Sequence, residues 1–219
     1  WAFYFEGKRF FEGNRTLVDN ENIEKPVLNL FRALAKLGHT RLQLNSDRRR
    51  DVLSADCPAE EVDGIAAMTE QRVTVLLWRQ ADAWWAQGGG EVQVTLQHLP
   101  FTGSAWVSHY RIDASHSNAH TAWKQLGSPQ TPTPAQIEHI RSRQGLELLT
   151  PPQTHILSAE GSLVLSFELP LCAASSNSRS RGPAPSSSSR RPTRNWPRPS
   201  ARARWIACVT PHPTVPRSK

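Results

Sequence analysis

Four short segments rich in β-branched and aromatic residues follow one another in mid-chain and limit the fold to a mainly β class. Within one of them, Val92, Val94 and Leu96 alternate with polar residues, which is the period of a strand with one buried face. Two more strands are predicted around the Glu160-Gly161 turn. The series predicts an antiparallel β-sandwich over residues 64–171. The six predicted strands are Gly64–Thr69, Arg72–Arg79, Glu91–Leu99, Ser104–Ile112, His155–Leu157 and Ser162–Leu169.

An irregular insertion, residues 113–152, interrupts this strand series. A short helix is predicted over Ala119–Leu126, and a second from Pro134 to about Gln144, with Gly145 just past its end. Asp113, His116, Ser117 and Asn118 precede the first helix. We expect these four side chains to hold an irregular loop through hydrogen bonds to the backbone.

The first 38 residues have a different pattern. The aromatic run Trp1–Glu6 ends in a carboxylate, a polar loop covers residues 7–25, and an amphipathic helix runs from Pro26 to Gly38. This order is typical of the last strand and helix of a (β/α)8 barrel, so residues 1–38 are interpreted as the end of a truncated barrel. Without that barrel, the helix is expected to expose its apolar face unless it packs back onto the sandwich. That face consists of Leu30, Phe31, Leu34 and Leu37.

Residues 39–63 carry charged runs and little periodicity, and are interpreted as a linker or crossing segment. The carboxylates of this segment, Glu60, Glu61 and Asp63, are interpreted as a solvated charge cluster rather than a catalytic pair. Catalytic carboxyls face each other across a sugar from rigid supports, and neighbouring residues of a polar loop do not. The tryptophans of the predicted sandwich are interpreted as core and inter-domain packing rather than as a carbohydrate-binding face. They are Trp78, Trp84, Trp85 and Trp106.

The chain changes composition at Cys172. Residues 172–219 contain nine Arg and one Lys and no acidic residue, so the net charge of +7 comes from this tail. The rest of the chain is mildly acidic, and the positive charge therefore gives no argument that the folded part binds nucleic acid. The Ala, Ser, Arg and Pro content of residues 172–219 predicts a disordered tail. The abrupt change suggests a frameshift near Leu171, and it leaves the predicted sandwich without its last strand and with an open edge.

No metal or cofactor site is predicted. Cys57, Cys172 and Cys208 form no C-x-x-C pair, and His116 and His120, four residues apart, lack a third ligand. No apolar run approaches the ~20 residues of a membrane span, so no membrane partner is predicted. Because the chain is expected to begin inside a domain, the lack of a signal peptide leaves its cellular location open, and homo-oligomer formation is open as well.

Several motifs resemble glycoside hydrolase family 39, and within it the β-xylosidase branch, over about residues 1–170. The most specific is Tyr110-Arg111-Ile112-Asp113 followed by His116-Ser117-Asn118-Ala119 and Trp123…Leu126-Gly127-Ser128-Pro129. Others are Trp1–Glu6, Phe10-Phe11, Arg15-Thr16-Leu17 and Lys25–Arg32.

The resemblance implies a retaining glycosidase with a (β/α)8 catalytic barrel and a β-sandwich accessory domain, acting on xylosides. The two catalytic glutamates of such enzymes lie on earlier barrel strands, so the chain alone is expected to be inactive. Trp1 is implied to form an apolar platform under the sugar, and Glu6 to accept hydrogen bonds from its hydroxyls. Gly7-Lys8 departs from the family pattern beside Glu6.

Two other functions stay open at this point. The chain also fits a non-catalytic β-sandwich that serves as an interaction or carbohydrate-binding module. The parent enzyme could also cleave a different glycoside, such as an iduronide, because relatives within the family differ in substrate.

Overall fold

A computed structural model describes residues 5–14, 16–51, 53, 60–81, 88–171 and 203–211, the first two strands and the last being described by their backbone alone. The described residues are mainly β, as predicted. They form eleven strands and three helices: β1 Phe5–Glu6, β2 Gly13–Asn14, α1 Pro26–Leu34, β3 Thr40–Leu42, β4 Glu60–Thr69, β5 Arg72–Ala81, β6 Gly89–Leu96, β7 Ser104–Ile112, α2 Ala119–Gln125, α3 Pro134–Ser142, β8 Glu147–Leu148, β9 Gln153–Ile156, β10 Leu163–Pro170 and β11 Ala203–Pro211.

Seven strands make one antiparallel sheet. Its order is β3-β4-β5-β11-β7-β8, and β9 also pairs with β7. Strands β4 and β5 form a long hairpin in register from Glu60 opposite Ala81 to Thr69 opposite Arg72. Gly38 lets the chain enter β3, because a Cβ on it would lie 2.1 Å from the backbone oxygen of Met68.

A second sheet of two strands, β6 and β10, shares a hydrophobic core with the first. The two strands pair from Leu163 opposite Leu96 to Pro170 opposite Gly89. Alternate residues of β10 are buried, as the period of two predicts. The shared core includes Val73, Val75 and Leu77 of β5 and Leu163, Leu165 and Leu169 of β10.

The helix α1 packs on the other face of the seven-stranded sheet. Its Leu30 and Leu34 join Leu76 and Ile112 in a second hydrophobic cluster, to which Leu37 also belongs. The large sheet therefore covers part of the apolar face. The helix packs back onto the sheet, which was the condition under which this face was expected to be buried. Phe31 remains 52% exposed, in agreement with the expectation for an uncovered helix.

The predicted linker over residues 39–63 is wrong at both ends. Residues Thr40–Leu42 form β3, and β4 begins at Glu60, four residues before its predicted start. Local pattern did not reveal these strands, because β3 is short and lies at the sheet edge, and because β4 begins with charged residues whose partners lie on other segments.

The predicted disorder of residues 172–219 is wrong for Ala203–Pro211, which form β11 between β5 and β7. The strand that completes the sheet is therefore central, and the predicted open edge at the end of the sandwich is wrong as well. The average composition of the tail concealed the short apolar run Trp205–Val209. The frameshift hypothesis consequently loses the support of a missing strand.

None of the described helices has the length and apolar character needed to cross a lipid bilayer.

Candidate functional site

The candidate sugar-binding residues lie at the first strand. Glu6 belongs to β1 and is the backbone partner of Gly13 in β2. Its side chain and the whole of Trp1 lie outside the described residues, so their contacts with a sugar stay predictions. The loop that follows Glu6 is described from Gly7 onward, except for residue 15, and it shows how this strand is supported.

The second half of this loop is folded around Asp19. Its Oδ1 accepts hydrogen bonds from the backbone N–H groups of Glu21 at 3.0 Å and Ile23 at 2.8 Å. The side chain of Ile23 is fully buried. The Lys25 ammonium donates to the backbone oxygen of Glu12 at 2.8 Å, which joins the two halves of the loop. Burial lowers the pKa of Lys25, and the Asp19 carboxylate opposes this effect.

An aromatic cluster holds the loop against α2. The Phe11 ring lies 5.2 Å from the ring of His120 and 5.3 Å from that of Trp123, and the His120 and Trp123 rings stack at 5.6 Å. The Trp123 Nε1–H donates to the oxygen of Pro129 at 2.8 Å. Burial lowers the pKa of His120 to about 4, with smaller contributions from Lys124 and Lys25, so this imidazole is neutral at neutral pH.

Asn29 joins α1 to the insertion. Its side chain is fully buried, and its Nδ2 lies 2.9 Å from the oxygen of Ser117, 2.8 Å from that of Gln144 and 3.2 Å from that of Gly145. The two N–H groups therefore serve three backbone acceptors of two distant loops. Such acceptors cost free energy when they are buried without a donor.

A salt bridge fixes the outer side of this junction. Arg32 donates from Nη2 to Glu24 Oε1 at 2.6 Å and from Nη1 to Asn29 Oδ1 at 3.1 Å. The hydrogen bond from Arg32 lowers the pKa of Glu24, against the effect of burial, and Glu24 in turn raises that of Arg32. The carboxylate of Glu24 is thus occupied by a structural contact.

The loop around Asp113 is held as predicted. Asp113 Oδ1 accepts from the backbone N–H groups of Ser115 at 2.7 Å and His116 at 2.8 Å, and lies 2.9 Å from His116 Nδ1. Ser117 Oγ donates to the oxygen of Arg111 at 2.6 Å, and Asn118 Nδ2 donates to that of Asp113 at 2.8 Å. Asn118 also caps α2.

Two buried arginines of the large sheet donate hydrogen bonds to β10 of the two-stranded sheet. Arg79 Nη1 donates to the oxygen of Leu169 at 3.2 Å, and Arg111 Nη2 donates to that of Glu168 at 2.7 Å. Burial lowers the pKa of Arg111. Burial first, then Arg111 and His116, lower the pKa of the neighbouring His109 to about 3.

The carboxylates of the predicted solvated cluster are paired instead. Glu60 Oε2 accepts from Arg79 Nε at 2.9 Å, and Asp63 accepts from Arg49 at 2.9 and 3.0 Å. Glu61 contacts the side-chain amide of Gln80. The prediction of a solvated charge cluster is therefore wrong, because each of these carboxylates has a side-chain partner on a neighbouring segment.

The tryptophan interpretation is only partly met. Trp78 is half-buried, whereas Trp106 is 41% exposed and so is not a core residue. Trp84 and Trp85 lie outside the described residues. Among the residues that are described, no group of three or more His, Cys, Asp or Glu side chains is placed to hold a metal ion.

The sequence interpretation assigned no role to Asn29 or Phe11. One signal for Asn29 was present: it is a polar residue one turn before Ala33, and both lie fully buried on the face of α1 that meets the rest of the molecule. A polar side chain at such a position requires hydrogen-bond partners. Its three acceptors could not be identified, because they lie far along the chain.

The sequence that builds these contacts is similar to a known protein family. The family model described as "Glycosyl hydrolases family 39" matches residues 6–155. This range begins at the predicted sugar-binding residue Glu6 and includes the Asn29 junction and the whole Asp113 loop. No curated protein matches the chain.

Three similar solved structures show the same fold at low sequence identity. The family 39 enzyme from Xanthomonas axonopodis pv. citri has 13% identity and a TM-score of 0.58, covering 90% of this chain and 32% of its own. A monomeric β-xylosidase from Caulobacter crescentus CB15 has 15% and 0.61, covering 94% and 34%. A bacterial orthologue of human α-L-iduronidase has 19% and 0.62, covering 97% and 31%. This chain therefore spans about a third of the length of these structures.

Replacing Asn29 by Ala should destabilise the protein strongly. The substitution leaves three backbone oxygens without their donor, at a cost of about 3 kcal/mol in the free energy of unfolding. Urea unfolding measures this quantity. Asn20→Ala, which removes an exposed amide contact to Gly7, is the matched control and should cost about 0.5 kcal/mol or less. Equal losses in the two variants would contradict the role assigned to Asn29.

His120 should make stability fall in mild acid. The unfolded chain takes up a proton near pH 6.5, whereas the folded chain does so only near pH 4, so stability is lost as pH falls through this window. The slope is at most about 1.4 kcal/mol per pH unit, and screening reduces it because His120 is only half-buried. Urea titrations between pH 7 and 4 should show a smaller slope for His120→Phe.

Trp123→Phe is the control for this pH dependence, since it changes the same cluster without removing a titratable group. It should lower stability at every pH and keep the slope of the natural chain. A natural slope in His120→Phe would show that His120 is not a source of the acid sensitivity.

Proposed function

The chain belongs to glycosyl hydrolases family 39, and on that premise we propose that it is the carboxy-terminal part of a retaining glycosidase that releases xylose from β-xylosides and short xylo-oligosaccharides. The observation that carries the proposal is the family match over residues 6–155. The substrate in this proposal is a carbohydrate, and the reaction requires no metal or cofactor.

The proposed architecture divides the chain between two domains. Residues 1–38 form the end of a (β/α)8 catalytic barrel, and the strands from β3 to β11 form a β-sandwich. The outer side of α1 supports this division, because Val27 and Phe31 are exposed there one turn apart. A helix with one apolar side on the sheet and another in solvent suits a position between two domains.

The proposed chemistry uses two glutamates of the barrel that lie outside this chain. One protonates the glycosidic oxygen while the other attacks the anomeric carbon, and water then hydrolyses the glycosyl-enzyme with the first residue acting as a base. This chain contributes one wall of the site. The indole of Trp1 lies under the C–H face of the sugar, and the Glu6 carboxylate accepts hydrogen bonds from its hydroxyls.

The contacts of the loop that follows Glu6 support the proposed sugar-binding role of this residue. The aromatic cluster around Phe11 fixes the loop that follows β1 to α2, and Asn29 fixes α1 to the same insertion. A binding residue is effective when its supporting shell holds it within a fraction of an ångström. We therefore assign the insertion, residues 113–152, the task of supporting the sugar-binding strand from behind.

Isolated, the 219-residue chain should not hydrolyse an aryl β-xyloside, because it holds only the binding wall. Release of the aryl group above a blank lacking protein would contradict the proposal.

The longer gene product should hydrolyse aryl β-xyloside with retention of configuration. Glu6→Gln in that enzyme should lower kcat/KM about 10- to 100-fold, the loss of one charged hydrogen bond. Glu70→Gln, exposed in the turn between β4 and β5, is the control and should be unchanged. A parallel assay with an aryl α-L-iduronide decides the substrate, since a β-xylosidase and an iduronidase orthologue are about equally similar to this chain.

A second candidate function is a non-catalytic carbohydrate-binding module, and the exposure of Trp106 on the sheet favours it. An exposed indole offers a flat apolar surface to the C–H face of a sugar. Titration of xylo-oligosaccharides against the chain, followed by tryptophan fluorescence, should give saturable binding that Trp106→Ala removes. Absence of binding would leave the accessory domain as a structural part of the glycosidase.

A further inference from the structure

The central strand of the large sheet comes from a distant part of the sequence. β11 pairs antiparallel with β5 from Ala203 opposite Arg79 to Val209 opposite Val73. It also pairs with β7 from Arg204 opposite Ile112 to Pro211 opposite Ala105. Without β11 the sheet would separate into two parts, β3-β4-β5 and β7 with β8 and β9.

The slot that β11 occupies has the properties of a strand-binding site. Its two walls offer backbone donors and acceptors along the length of the strand, and such ladders bind an extended peptide with little dependence on its side chains. The side chains that flank the slot are also apolar. Val73, Val75 and Leu77 of β5 and Val107 of β7 are buried in the shared core. An empty slot would therefore expose two strand edges and part of the core.

The connection to β11 is far longer than the gap that it spans. Arg79, whose backbone is opposite Ala203, donates a side-chain hydrogen bond to Leu169, close to the end of β10. A few residues would join these points, as in most connections between neighbouring strands. The chain instead uses residues 172–202, whose maximum reach is on the order of 100 Å. This length is enough to place β11 in the slot of a neighbouring molecule.

We propose that the slot between β5 and β7 accepts the Ala203–Pro211 strand of a second copy of this chain, which gives a strand-exchanged dimer. The exchanged strand makes the same two ladders as the strand of the same molecule, so both arrangements have equal contacts. A strand in the same molecule competes at an effective concentration that is typically millimolar. Exchange is therefore expected when the protein concentration during folding approaches this effective concentration, and the two ladders then retain the exchanged strand.

The register supplies a test of which molecule donates the strand. Cys208 is the backbone partner of Ser108, and facing residues of antiparallel strands have Cα atoms within the range that a disulfide spans. The test variant carries Ser108→Cys, with Cys57→Ser and Cys172→Ser to remove the other thiols. It is refolded at about 1 μM and about 500 μM and oxidised, and the products are separated on a non-reducing gel and by size exclusion.

The expected result is an internally linked monomer at the low concentration and a substantial fraction of disulfide-linked dimer at the high one. Ser104→Cys on the same strand is the matched control, because Ser104 is paired with Ile156 and lies beyond the register of β11. It should give no linked dimer. Monomer alone at both concentrations, or dimers whose 108–208 disulfides are all internal, would overturn the proposal.

A second arm uses the natural chain, so that the test does not depend on folding of the variants. The chain is refolded at low concentration with about 5 mM fluorescent peptide corresponding to residues 203–211, which exceeds the effective concentration of the chain's own strand, and unbound peptide is then removed. Incorporation is expected, and it should be lost when the peptide carries Ala207→Pro, which removes a ladder N–H. Failure of the natural peptide to incorporate would show that the slot does not accept a strand from another molecule.

Discussion

The buried amide of Asn29 is the contact on which the arrangement of this molecule depends. Its two N–H groups serve backbone oxygens at Ser117, Gln144 and Gly145, which begin and end the helical part of the insertion. No apolar residue could replace it, since three buried acceptors would then lack a donor. The amide thus binds α1 to the insertion, while Leu30 and Leu34 bind the same helix to the large sheet. The short helix α1 therefore holds the first part of the chain to both the insertion and the large sheet.

This junction connects packing to the proposed function. Glu6 precedes a loop whose second half is folded around Asp19. The aromatic cluster of Phe11 holds the same loop against α2. Since α2 is itself fixed by the Asp113 loop and by Asn29, these contacts connect the loop that follows the proposed sugar-binding strand to the sheet. In the proposed enzyme, the accessory domain and the insertion are then part of the framework of the active site and not a separate attachment.

Sequence reasoning found the features that depend on local pattern. The bounds of β7 were predicted to the residue, and α2 and α3 within two residues, because alternation, capping residues and prolines are local signals. It failed where a partner far along the chain decides the outcome. β3 and β11 become strands through the neighbours they pair with, and Glu60 is held by Arg79 on the next strand. The resemblance named the family and the candidate residues Trp1 and Glu6, but the contacts of the loop that follows Glu6 became visible only in the fold.

The central claim is that α1 and the insertion form one cooperative unit around Asn29. Native-state amide hydrogen exchange tests it most directly, because it measures the free energy of opening at each residue. Amides in α1, such as those of Leu30 and Ala33, should open with the same free energy as those of Ala122 in α2 and Ile140 in α3. Asn29→Ala should lower protection in all three helices together. Exchange of the α1 amides at a much lower free energy than those of α2 and α3 would show that α1 opens independently of the insertion.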